Sequence, residues 1–200
     1  MFDDIGKKAN FRGMEKTLDT IAKGWCRAGT VGGSNIDEAP LDKKRIFPEE
    51  AKNSGRLTTM EWAVCAAISA ALRSAGILDR GGEKLQAAIY FSSPEASTPA
   101  DAAYFDDYLA FDETAGRANL FVHTLPSSPL GEASVRFGLT GETIFFADSA
   151  DVLETMTRAA ETAAAIRGKK LFLIGTGRLE KNGSASASFS LLADTRNENE

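Results

Sequence analysis

The sequence predicts an α/β domain, a mostly parallel sheet with helices on both faces and one antiparallel edge strand. Three observations predict it. Segments with strand and helix periods alternate along the chain, as they do in strand–helix–strand crossovers. The runs at 85–91 and 170–176 are almost continuously apolar, as strands covered on both faces are. The helical segments carry one-sided apolar stripes with recognisable caps. A chain of 200 residues fits one domain, which at this size buries roughly 70% of its unfolded surface without needing a disulfide or a metal.

Residues 1–17 are polar and aperiodic, and read as an N-terminal arm or a short helix around Met14–Leu18. The domain is expected over 18–194, and a disordered tail over 195–200. A first strand is placed at Thr20–Ala28. Segment 29–57 holds Gly32-Gly33, Pro40, Pro48 and many charges, which is loop composition. Thr58 and Glu61 form a capping box, followed by Val64, Ile68, Leu72 and Ala75 at helical spacing. Gly76 ends that helix. Leu85–Phe91 is a buried strand, Asp101–Phe111 a helix, and Asn119–His123 an extended piece before the loop at Pro126 and Pro129. Gly131–Phe137 is a short helix closed by Gly138, and Thr143–Ala147 the next strand. The longest helix runs from Asp151 to Arg167 on a stripe of Val152, Met156, Ala159, Ala160, Ala163 and Ile166. Gly168 closes it, and Lys169-Lys170 suits its negative end. Lys170–Thr176 and Ala185–Ala193 are the last two strands, with Asn182-Gly183 turning the chain between them.

The net charge is −5, and basic residues are scattered, with Lys43-Lys44-Arg45 the nearest to a run. That balance argues against nucleic-acid binding, which a basic face drives. Cys26 and Cys65 have no metal-ligand spacing and make no disulfide framework, so reduced thiols and a cytoplasmic location are expected. No apolar run approaches the roughly 20 residues of a membrane span. The acidic start Met1-Phe2-Asp3-Asp4 has none of the features of a secretory signal.

Five segments carry a family likeness. They are Ala67–Leu78 (AISAALRSAGIL), Phe121–Ser128 (FVHTLPSS), Phe137–Thr143 (FGLTGET), Leu171–Gly175 (LFLIG) with Thr176-Gly177, and Gly183–Leu192 (GSASASFSLL). In order and spacing, Leu57–Ala193 resembles the N-terminal half of β-ketoacyl synthases, in the thiolase-like superfamily. Glu142 stands where the family's turn carries proline. The resemblance implies a three-layer half-thiolase-like domain. Its mixed five-stranded sheet would have the order 3-2-1-4-5, with strand 5 antiparallel.

In working synthases a cysteine nucleophile opens the long buried helix, where the positive helix end lowers the thiol pKa. By the resemblance that position falls on Ala150, or on Ser149 or Asp151 with a shift of one residue. None is cysteine, and Cys26 and Cys65 lie far upstream. The turn Asp148-Ser149-Ala150-Asp151 is thus a degenerate nucleophile turn. Ser149 is a weak catalytic candidate, because serine needs a general base. The sole histidine, His123, lies outside the positions of the family's catalytic histidines, which belong to the second half of the full fold. Capping by Ser149 or Asp151, with Asp148 and Glu154 favoured at a helix N-terminus, is the simpler role.

No cofactor or metal is expected. His123 has no second ligand at metal spacing and reads as a hydrogen-bonded histidine near the pocket or interface. Asp101, Asp106, Asp107 and Asp112 do not form a calcium loop. Gly175-Thr176-Gly177 is not a dinucleotide fingerprint. The aromatic set Phe91, Tyr104, Phe105, Tyr108, Phe111 and Phe121 suits core or interface packing. The leading functional expectation is a non-catalytic synthase-like accessory protein in fatty-acid or polyketide-type biosynthesis. It would form a homodimer, or a heterodimer with a complete ketoacyl synthase, and acyl carrier protein is a possible partner. Leu120–Pro129 and Thr143–Ala147 are the expected interface, with His123, Phe121, Phe145 and Phe146 as pocket or interface candidates. The alternatives are a weak acyl transferase or hydrolase using Ser149, and a small-molecule binding module.

Overall fold

A computed structural model describes residues 18–47, 54–78, 84–110, 116–168 and 170–194. The expected arm at 1–17 and tail at 195–200 lie outside the described residues, as do Pro48, Phe111, Asp112 and Lys169. The described residues begin with strands β1 (Leu18–Arg27), β2 (Thr30–Gly33) and β3 (Ile36–Pro40), then helices α1 (Lys43–Ile46) and α2 (Thr59–Ser74). Next come β4 (Ala87–Ser92), α3 (Thr98–Ala110), α4 (Ala118–Phe121) and α5 (Ser128–Phe137). The last elements are β5 (Thr143–Phe145), α6 (Val152–Arg167), β6 (Leu171–Leu179) and β7 (Ala185–Asp194).

The α/β class and the mixed character of the sheet are as the sequence predicts, but the strand number, the order and the predominance of parallel pairing are not: among the described residues four of the six strand pairs are antiparallel and only β4–β5 and β4–β6 are parallel. Among the described residues the sheet has seven strands in the order β3-β2-β1-β7-β6-β4-β5. The five strands expected from sequence therefore lie in the order 3-2-4-5-1 and not 3-2-1-4-5. The last strand, β7, is antiparallel to both its neighbours, β6 and β1, so it is internal and not an edge. The reason is local. The Asn182-Gly183 turn, with Gly183 at φ 80°, folds β7 back on β6. That leaves the other side of β7 to be paired by β1 over Leu18–Cys26.

The two extra strands come from the segment assigned to loop. Ala28 and Gly29 both take positive φ, 48° and 77°. This is the two-residue hairpin turn whose twist matches paired strands, and it joins Arg27 to Thr30. Gly32 and Gly33 sit inside β2, where the sheet is crowded: a Cβ on Gly33 would lie 2.1 Å from Ser74 Oγ. Asn119–His123 is also corrected, from extended to helical. Val122 N–H donates to Ala118 C=O at 3.3 Å, closing the single turn of α4.

Strand alternation divides the core in two. Ala87, Ile89 and Phe91 of β4, Leu173 of β6, and Ala187, Phe189 and Leu191 of β7 face α2 and α5. Ala88, Tyr90, Phe172, Ile174 and Leu192 face α6 through Val152, Met156, Ala160, Ala163 and Ala164. The α2 capping box is fully formed, and nearly the whole helix is buried. Small residues at 63, 66, 67, 70 and 71 let it lie close on β1 and β7. Gly175 and Gly177 are packing glycines. A Cβ on either would meet the ring of Phe189 or Phe91, which stack at 5.7 Å.

Burial gives the fold an alkaline limit. Cys65 is 0% exposed, and desolvation pushes its thiol far above the ordinary range. Burial raises Cys26 as well. Burial and a hydrogen bond to Glu142 raise Tyr90. In each case the folded state holds a proton that the unfolded chain releases first. The stability is complete below the unfolded values, about 8.5 for Cys and 10 for Tyr, and declines above them. The unfolding free energy is expected to fall by about 2 kcal/mol or more between pH 8.5 and 10.5, at about 1.4 kcal/mol per pH unit per released proton. Urea titrations across that range check it, and Cys65→Ala should flatten the slope.

Candidate functional site

The turn between β5 and α6 lies at the C-terminal end of the parallel strands. Phe146 N–H donates to Phe91 C=O at 2.8 Å, and its ring packs on Tyr90 at 5.4 Å. The chain then runs exposed through Asp148, Ser149, Ala150 and Asp151. Asp151 occupies the N-cap position of α6, but its side chain does not bond a helix N–H. Its carboxylate accepts the Ser149 hydroxyl at 2.9 Å, while the Ser149 carbonyl accepts Val152 N–H at 3.2 Å. Ser149 thus enters the helix start through its backbone, and its hydroxyl already has an acceptor.

The imidazole that would activate a serine is committed elsewhere. His123 Nδ1 lies 2.7 Å from Glu61 Oε1, with both side chains buried. The other oxygen of Glu61 accepts Thr58 N–H at 2.7 Å, while Thr58 Oγ1 accepts Glu61 N–H at 3.2 Å. One carboxylate therefore caps α2 and anchors the chain just after α4. The capping box and the lone histidine were each legible in the sequence, but their meeting was not. The two residues are 62 positions apart.

Glu142, the departure from the resembled turn, has a structural role. It accepts the Tyr90 hydroxyl at 2.6 Å and Arg167 at 2.7 Å, and so ties β4 to the C-terminal end of α6. A proline there could do neither.

The aromatic candidates divide between core and surface. Phe91 and Phe145 pack edge to face at 6.2 Å, and Phe145 and Phe146 each lie half-buried against a different core. Phe121 is 54% exposed and meets Tyr104 at 5.6 Å. With Phe105, Leu109, Val122 and Leu125 it makes an exposed apolar surface on α3, α4 and the segment that follows. An open hollow of about 530 Å³ lies within it, lined by Thr98, Ala102, Tyr104, Phe105, Phe121 and Thr124 among others. Arg117 clamps Asp107 through two hydrogen bonds at the edge of this surface, which holds the Asp107 carboxyl below the usual range. Among the described residues no cluster of three His, Cys, Asp or Glu could hold a metal ion. No described helix is long and apolar enough to cross a membrane.

Solved structures of ketosynthases, alone or in complex with a chain length factor or an acyl-carrier protein, share this fold, a mixed sheet with α2 and α5 on one face and α6 on the other. A ketosynthase in complex with its chain length factor from Xenorhabdus doucetiae matches with a TM-score of 0.57 at 15% identity, over 90% of this chain and 80% of that one. A β-ketoacyl synthase from Burkholderia phymatum STM815 matches at 0.62 and 11% identity, over 90% of this chain and 59% of that one. A type II polyketide synthase acyl-carrier protein in complex with its ketosynthase matches at 0.63 and 11%, over 90% and 63%. The chain thus spans less than two thirds of the latter two. No protein-family model and no curated protein matches the sequence.

Proposed function

We propose that this chain is a non-catalytic ketosynthase-fold subunit of a fatty-acid or polyketide-type pathway, and that it acts by pairing with another chain of the same fold. The observation that carries the reading is the state of the α6 turn. It holds no thiol, its one hydroxyl nucleophile is bonded to Asp151, and the histidine is buried against Glu61. Both cysteines are buried, neither of them in that turn. The exposed side chains of Phe105, Leu109, Phe121, Val122 and Leu125 support pairing, because exposed apolar surface of that kind marks contact sites. So does β5, which among the described residues lies at the edge of the sheet.

Light scattering on the chain, alone and mixed with a ketosynthase, tests the reading. We expect a dimer or a one-to-one complex. Phe121→Asp and Leu125→Asp should weaken it at least about tenfold, since a charge buried in an apolar interface is costly. Both residues are exposed, so neither change disturbs the core. Phe145→Asp would test the core instead, because Phe145 packs on Phe91. A monomer that binds no ketosynthase would refute pairing. Acylation of Ser149 by acyl-thioesters, read by mass spectrometry, would replace the non-catalytic reading with an acyl-transfer one.

A further inference from the structure

Among the described residues α6 lies on β4, β6 and the Leu18 and Leu192 end of β1 and β7. Beside the helix, at the C-terminal ends of β1 and β6 and the start of β7, lies a cleft of about 330 Å³. Strand register explains its floor. Ser92 of β4 pairs with Thr176 of β6, Thr176 with Ser188 of β7, and Ser188 with Trp25 of β1. Alternation from Tyr90, Ile174 and Leu192 puts the three hydroxyl residues on the α6 face. The result is a row of hydroxyl groups across three adjacent strands, ending at an indole.

The next row out is basic. Arg178 pairs with Ser186 in register, and Arg27 ends β1. Both arginines line the cleft, with Trp25, Thr176, Ser186 and Ser188. Among the described residues neither arginine has a hydrogen-bond or ion-pair partner. Asp148, from the degenerate turn, is the one acidic wall residue. Ser92, at the inner end of the hydroxyl row, is 0% exposed, and its Oγ has no partner. Buried polar groups are normally satisfied, so Ser92, which lies behind the cleft lining, leaves unused hydrogen-bonding capacity in the row that continues to Thr176 and Ser188.

We infer that this cleft is a binding site for a small phosphate ester, seated between Arg27 and Arg178 over the Thr176 and Ser188 hydroxyls. The guanidinium fork matches the oxygens of a phosphate or a carboxylate in pairs. Hydroxyls at Thr176 and Ser188 donate to the same oxygens, and the Trp25 ring offers an apolar wall for the ester group. The volume falls within the range of small-molecule sites, which favour the carboxyl ends of strands in α/β sheets. This site is independent of the pairing surface on α3 and α4.

Calorimetric titration with phenyl phosphate, inorganic phosphate and benzoate at constant ionic strength tests it. Phenyl phosphate is expected to bind, and Arg27→Gln and Arg178→Gln each to weaken it at least about tenfold, the loss typical of a charged hydrogen-bond partner. The Trp25 indole and Gly177 amide signals should shift in the same titration by NMR. Arg158→Gln, on the exposed face of α6, should leave binding unchanged. Binding of benzoate in preference to phenyl phosphate, with the same arginine dependence, would overturn the phosphate assignment in favour of a carboxylate. No binding, or binding indifferent to both arginines, would overturn the site.

Discussion

Gly24→Ala is expected to cost at least about 3 kcal/mol of stability, at the upper end of overpacking losses. Gly24 sits in the middle of β1, between Phe189 and Gly33 in register. A Cβ built there would lie 2.2 Å from Ala67 O and from Ala71 N, and 2.8 Å from Ala70 C. All three are backbone atoms inside α2, so no rotamer change can relieve the contact. The helix would have to lift off the strands it covers, and α2 is the centre of the larger core. Gly29→Ala is the control. Nothing lies within 4 Å of its Cβ, but φ is 77°. Its cost should be the left-handed penalty alone, about 1–2 kcal/mol. Urea midpoints of the two variants check the difference. A Gly24→Ala protein within about 1 kcal/mol of the parent would mean that α2 does not lie this close on β1.

The same contact shows which parts of this fold a sequence can display. Helix α2 was legible because everything that defines it is local: a Thr58–Glu61 box, an apolar period of 3.6, and Gly76 after the last turn. The strands β4, β6 and β7 were legible for the same reason. What was not legible is what each element meets. Gly32 and Gly33 looked like loop glycines because glycine in a strand and glycine in a turn are the same letter. Only the approach of Ser74 and Trp25 shows that they are packing positions. The strand order failed because pairing is non-local. Nothing within Ala185–Asp194 states that β1, more than 150 residues earlier, will be its neighbour. One signal at the cleft was available. In ASASFS, serines at 186, 188 and 190 alternate with Ala185, Ala187 and Phe189, the pattern of a strand with one apolar and one polar face. The arginines beside that polar face, Arg27 and Arg178, come from two other strands, and no spacing connects them.

Glu61→Ala is expected to cost about 3 kcal/mol, because it strips a buried histidine of its partner and a helix start of its reciprocal cap. Glu61 is 1% exposed, accepts Thr58 N–H and is hydrogen-bonded to the His123 ring. Glu61→Gln keeps the shape and one acceptor oxygen, so one of the two bonds survives and the loss should be nearer 1 kcal/mol. If the pair acts as a unit, His123→Ala adds little once Glu61 is alanine, and the double-mutant cycle should return a coupling of at least about 1 kcal/mol. The two losses adding independently would show that the contact is incidental. Under the proposed pairing role the pair also bears on association, since His123 N–H donates to Leu120 C=O at the end of α4. Releasing the ring frees the segment that presents Phe121, Val122 and Leu125. Glu61→Gln, which should remain folded, is therefore expected to weaken association with a ketosynthase-fold partner as well. Association unchanged in a measurably destabilised Glu61→Gln protein would separate the buried pair from the pairing surface and leave it a role in α2 alone.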